Sequence, residues 1–166
     1  MAESPLFRIA LKKVMAKCSR REFCISEIQA KLQSWSVGND EEEKIIAMLI
    51  SENFINESRY TIAFVKDKFN YNKWGKVKIA ANLRSKNIPA DLIGKTLDTI
   101  DNDLYNKVLN DLISAHRRII KAKNPYDLKA KLLRYGLSKG FESSLLYDLL
   151  NDIHYKWPES DQKDQT

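Results

Sequence analysis

Between Phe64 and Lys86 the chain places Lys66, Lys68, Lys73, Lys76, Lys78, Arg84 and Lys86 against one anion, Asp67. That balance of +6 equals the formal net charge of the whole 166-residue protein, so everything outside the window sums to zero. Tyr71 and Trp74 lie among these cations. Ammonium and guanidinium groups neutralise phosphates or carboxylates, and exposed rings stack on bases. The mixture therefore reads as a footprint for a polyanion or for an acidic protein groove. A merely solvated helix face would interleave carboxylates for support, and this window hardly does. Five such cations on the phosphates of a single strand would give a log-log salt slope of about −3.5 and cost about two orders of affinity between ~50 and ~200 mM salt.

Catalytic chemistry has little to work with. His116 and His154 stand apart from any cysteine or carboxylate at metal-ligand spacing, so a zinc site with Cys18 and Cys24 would need long-range assembly. Cys24 lacks an evident base, and a small residue at a helix start is its simpler role. No glycine-rich phosphate loop follows a strand, which removes an ATPase reading. No cofactor is expected. Two cysteines cannot build a disulfide framework, and MAESPLFRIALKK lacks the apolar core of a secretory signal. No apolar run approaches the ~20 residues of a membrane span, so a cytoplasmic protein and a monomer are expected.

The elements that position the basic window are helices. Only five Gly and four Pro punctuate long runs rich in Ala, Leu, Ile, Lys and Glu, which argues for an all-α fold. The chain also repeats itself: AKLQSWSV at Ala30, ANLRSKNI at Ala81 and AKLLRYGL at Ala130 align at offsets of 51 and 49 residues. Four positions before the shared Leu32, Leu83 and Leu132 lie Ile28, Ile79 and Leu128, one face of a helix. Eight positions before lie Cys24, Gly75 and Asn124, where that helix should start; Asn124 with Pro125 is a favourable cap pair.

A following helix should bury Ile46, Leu97 and Leu146 with Leu49, Ile100 and Leu149, behind closing residues Val37, Ile88 and Leu137. Asp40 to Glu43 and Asp91 suit its N-terminus. A preceding helix fits Pro5 to about Ser19 behind Ser4, Glu57 to about Asn72 behind Asn56, and Asp103 to about Lys121. In the second of these, Ile62, Val65 and Phe69 should face the core beside a Tyr60–Phe64 pair, with the Tyr60 hydroxyl seeking a polar partner. The expected organisation is three tandem three-helix repeats over 5–55, 56–101 and 102–154, helix-turn-helix-like, and a disordered tail over 155–166. Units of ~50 residues bury too little alone, so neighbours should stack into an elongated, curved body.

The segments INESRYTIAFVKDKF and KWGKVKIAANLRSKNI, at Ile55 and Lys73, resemble the RecX family of bacterial recombination regulators. SEIQAKL at Ser26 and KLLRYGLSKGF at Lys131 extend the resemblance to roughly Leu6–Ile153. Ser58 replaces a usual acidic residue, Asn87 a common Gly, and Leu137 a frequent Phe, while Trp74 enlarges the basic turn. Asn at a helix end adopts the left-handed conformation Gly would supply, so that turn should survive.

The resemblance implies a curved rod of three repeats lying in the groove of a RecA filament on single-stranded DNA. It also implies suppression of filament growth, ATP hydrolysis and strand exchange, with some affinity for DNA itself. Lys66, Lys68, Tyr71, Lys73, Trp74, Lys76, Lys78, Arg84 and Lys86, with Arg134 in the third repeat, are the residues expected to contact filament or DNA. Arg8, Lys12, Lys13, Lys17, Arg20 and Arg21 form a secondary basic patch, as do residues of the third repeat around Arg117. The rival reading is a stand-alone DNA-binding protein that places helices of its three-helix units in major grooves.

Overall fold

The computed structural model describes residues 2–152; the expected tail over 155–166, and His154, lie outside them. The described residues form α-helices and no strand. In order they are α1 (Pro5–Cys18), α2 (Ile25–Ser34), α3 (Asn39–Ser51), α4 (Glu57–Asn70), α5 (Lys76–Ser85), α6 (Ala90–Leu97), α7 (Asn102–Ile119), α8 (Pro125–Ser138) and α9 (Ser143–Asp152). None is long and apolar enough to cross a membrane.

Local chemistry sets the helix starts. The Ser4 hydroxyl accepts from the Phe7 amide at 3.0 Å, Asn56 Oδ1 from Arg59 at 2.9 Å, and Asn124 Oδ1 from Asp127 at 2.8 Å. Asp101, one residue before α7, accepts from Leu104 at 2.9 Å. These bonds satisfy amides that have no partner inside the helix. Cys24 and Asn124 cap α2 and α8, and α5 begins directly after Gly75, as the repeat spacing requires.

The packing falls into two compact units, each described by itself. The first comprises Met1–Asp67 and Ala80–Leu97, the second Lys68–Ile79 and Asp98 onward. In chain order the triplet α1–α3 lies in the first unit and the triplet α7–α9 in the second, while in the middle triplet α4 and α5 contribute residues to both. In the first unit α3 packs on α1 and α2 around Phe7, Val14, Ile28, Leu32, Val37, Ile45 and Leu49. In the second, α8 packs on α7 and α9, with Leu109, Ile113, Leu128, Leu132, Leu146 and Leu150 buried. Fully burying each such side chain contributes roughly 1.5–3 kcal/mol.

Several expected core positions move. Ile62 is 43% exposed, and Thr61 takes the inward place with Val65 and Phe69 at steps of four. Thr61 tolerates complete burial because its hydroxyl donates to the Glu57 carbonyl at 2.6 Å. α6 ends at Leu97, so Ile100 lies beyond it and is half-buried. In α9 Leu150, not Leu149, joins Leu146 in the core.

Leu137 is 45% exposed, because α8 runs 14 residues where α2 and α5 run 10. The closing bond of this helix is Phe141 N–H to Gly136 O at 3.2 Å. It matches Val37 to Leu32 and Ile88 to Leu83, both at 3.1 Å. Phe141 is therefore the true counterpart of Val37 and Ile88. Each closing residue follows one in the left-handed region: Ser36 at φ 61°, Asn87 at φ 61° and Gly140 at φ 90°. Asn87 does supply the turn expected of it.

Candidate functional site

The basic window lies partly in each unit. In the second unit α4 ends at Asn70, and the turn Tyr71–Gly75 leads into α5. Trp74 N–H donates to the Lys68 carbonyl at 3.0 Å, with Lys73 at φ 56° making the reversal. The half-buried Trp74 ring carries Lys68 Nζ at 5.1 Å and Lys78 Nζ at 4.5 Å from its centroid. Cations at that distance are attracted by the ring quadrupole, about 0.5–1 kcal/mol each at an accessible site. Tyr71 beside it is 83% exposed, and Lys73 is exposed.

Backbone contacts fix this turn. Gly75 N–H donates to the Lys139 carbonyl at 2.8 Å, and Val77 N–H to the Gly140 carbonyl at 3.0 Å. A Cβ on Gly75 would overlap the Gly140 carbonyl, and one on Gly140 would overlap Lys78 Cβ, so two glycines make the approach possible. Lys139 Nζ donates to the Asn72 carbonyl at 2.8 Å. Lys78 Nζ donates to the Ser138 carbonyl at 3.4 Å, and Lys78 is half-buried.

Tyr105 completes the support. Its hydroxyl accepts from Lys76 N–H at 2.9 Å and donates to Glu142 Oε1 at 2.8 Å, and its ring lies between Phe69 and Phe141 at 5.8 and 5.2 Å. Burial, and then Glu142, hold this phenol above its ordinary pKa against the lowering effect of the Lys76 amide. Lys76 Nζ sits 4.9 Å from the Tyr105 ring. The amides of Gly75, Lys76 and Val77 at the start of α5 are thus all used internally. An anion arriving here meets ammonium groups and an aromatic ring, not a helix terminus.

In the first unit the window behaves differently. Lys86 Nζ pairs with Glu27 Oε1 at 3.0 Å, and the Tyr60 hydroxyl donates to the same oxygen at 3.1 Å. Arg21 lies 3.6 Å from Glu27 Oε2, and Ser26 Oγ donates to the Lys86 carbonyl at 2.9 Å. Arg59 Nε donates to Glu22 Oε1 at 2.6 Å, and Glu57 accepts from Ile25 N–H at 3.3 Å. Burial, then Glu27, push the Tyr60 phenol upward, while burial and then Glu22 push up the Cys18 thiol. These groups stitch α4 and the turn after α5 to α2 and its entry. Lys66 and Arg84 are exposed in this unit, while Arg134 is exposed on α8 of the second.

The sequence offered no local signal for Glu22, Glu27 or Tyr105. Gly140 had one: it follows Lys139 and precedes a large apolar residue, the pattern of Lys86–Asn87–Ile88.

Residues 56–97 match the family model described as RecX, second three-helix domain. The regulatory protein RecX of Clostridium botulinum is 31% identical over 159 residues, covering 87% of this chain and 70% of that protein. That of Clostridium beijerinckii is 27% identical over 155 residues, covering 92% and 72%. The crystal structure of RecX from Lactobacillus salivarius superimposes with a TM-score of 0.74 at 21% identity, over 88% of this chain and 95% of that one. A second crystal structure, of regulatory protein RecX, gives a TM-score of 0.80 at 21% identity, over 89% and 74%. At that identity the two structures establish the helical-repeat fold, and the sequence relatives establish kinship. The chain belongs to the RecX family of regulatory proteins.

Proposed function

We propose that this chain binds the RecA filament assembled on single-stranded DNA and restrains its ATP hydrolysis, growth and strand exchange. Family membership supplies the regulatory class, and the Trp74 turn supplies the contact. The observation that carries the reading is Trp74 held between Lys68 and Lys78, on a turn whose backbone is anchored to the α8–α9 connection. A rigid aromatic ring ringed by cations binds at small entropic cost, because little of it must be ordered on contact.

A protein that bridges successive RecA subunits would bias the filament against the rearrangements that accompany turnover, without any chemistry of its own. DNA is touched directly by the lysines or through RecA, and the working species is a cytoplasmic monomer. The test is DNA-dependent ATP hydrolysis by RecA titrated with this protein. The expected outcome is inhibition at or below stoichiometric amounts with shortened filaments; an unchanged rate and length across a wide range would remove the assignment. Selective binding of one duplex sequence in the absence of RecA would favour the stand-alone DNA-binding reading instead.

A further inference from the structure

The first and third triplets each hold a cavity of about 390 Å³ at the same place in the repeat. Trp35 stands three residues beyond the buried Leu32, and Tyr135 three beyond the buried Leu132. Across from them, Lys17 and His116 each stand three beyond the last buried residue of the preceding helix, Val14 and Ile113. The first cavity is lined by Lys13, Ala16, Lys17, Arg20 and Trp35, with Lys13 Nζ 5.3 Å from the Trp35 ring. The second is lined by His116, Ile120, Lys131, Arg134, Tyr135 and Ser138. In the middle triplet the residue three beyond Leu83 is Lys86, taken up by Glu27.

We infer that these two cavities are nucleotide pockets, each taking one base and its phosphate from single-stranded DNA. Trp35 is half-buried, fixed from below by the first unit's core, so its ring is a preformed platform. His116 and Tyr135 already stack, centroids 3.6 Å apart and 5° from parallel, a stack that a base extends. Lys131 is held by Asp127 at 3.2 Å and by the Lys121 carbonyl at 2.8 Å, which makes exposed Arg134 the cation with reach to a phosphate. In the first cavity Lys13, Lys17 and Arg20 serve that purpose. An acidic peptide would use the cations and leave the ring idle. A nucleotide uses both, and ring with cation is the feature that recurs.

The choice of DNA over another polyanion rests on the regulatory reading above, so the test omits RecA. Affinities for a short thymidine oligonucleotide and for an abasic strand of the same length are compared by fluorescence anisotropy. Trp35→Leu and Tyr135→Leu are each expected to weaken the thymidine strand about tenfold, and to leave the abasic strand at its wild-type affinity. Unchanged affinity for the thymidine strand, or equal losses on both strands, overturns the inference. Should Trp35→Leu fail to fold, Trp35 emission in a Trp74→Phe, Trp157→Phe background serves instead, read at strand concentrations where anisotropy shows that variant to be bound. Quenching by the thymidine strand alone supports the pocket, and none overturns it. RecA inhibition that survives either negative result leaves the regulatory reading standing without the pockets.

Discussion

Lys78, in α5, and Lys86, in the turn just after it, belong to the same basic run, yet the fold uses them differently. Lys86 faces Glu27, together with Tyr60 and Arg21, while Arg59 is bonded to Glu22. Lys78 faces the ring of Trp74, shared with Lys68. In the first case the positive charge is matched at close range and its side chain is fixed for packing. In the second it is gathered around a π-face beside exposed Lys73 and Tyr71. A run of cations is therefore not one surface. Its members divide by what the remainder of the chain brings to them.

The comparison breaks most sharply at the backbone that carries the Trp74 turn. Gly75→Ala drives a methyl into the Gly140 carbonyl, and Gly140→Ala adds the cost of φ 90° to an overlap with Lys78. Each is expected to cost about 3 kcal/mol or more in chemical denaturation. Gly38→Ala, where nothing lies within 4 Å, should stay within about 1 kcal/mol. Equal midpoints for all three proteins would show that the turn is not built on that contact.

Glu27→Ala comes next. It strands Lys86 and the Tyr60 hydroxyl, whose carboxylate partner is only 18% exposed, and should cost about 1–3 kcal/mol of stability, discounted for the partial exposure of Lys86. Filament affinity of the folded fraction should not change. A loss of affinity without a loss of stability would move the Glu27 cluster from scaffold to contact surface.

The pH dependence is gentler and follows from the phenols. Tyr60 and Tyr105 have pKa values raised above the ordinary 10.0 on folding, by burial first. Their neutral forms are thus favoured in the native state. That stability is fully present below pH 10.0 and is lost as pH rises beyond it through the folded values. Thermal melts should fall above that point, and Tyr60→Phe should flatten the fall. The smallest effect belongs to Asp127, whose carboxyl is held low by the Lys123 amide and Lys131. Its contribution is present above the ordinary value of 3.8 and fades as pH drops below it, and Asp127→Asn should remove that slight acid dependence.

Much of this architecture was legible in the chain. Apolar spacing fixed nearly every helix start, since caps such as Ser4, Asn56 and Asn124 act within one turn of themselves. Helix ends were harder: the shared Ala-x-Leu register sets where α8 begins, but its extra turn displaces closure from Leu137 to Phe141. Ile62 was misplaced because a single hydroxyl bond to the preceding turn lets the polar Thr61 take its place inside.

The candidate site was legible as a charge and a ring, Trp74 among lysines. What divided the run was not legible. Glu22 and Glu27 reach Arg59 and Lys86 from α2 and its entry, and Gly140 meets Gly75 from far along the chain. Periodicity carries no record of such encounters. Gly75 looked like a helix cap, and it is one, but its lack of a side chain answers to another backbone.

The division of the cations is tested most directly by measuring RecA filament binding for two variants side by side, with helicity checked for both. Lys73→Glu, Lys76→Glu and Lys78→Glu combined should lose at least about tenfold in affinity while remaining folded. Lys86→Met should bind within about twofold of the parent and be the less stable protein, since it strands Glu27. The reverse pattern, with Lys86→Met abolishing binding and the triple reversal leaving it intact, would contradict the account.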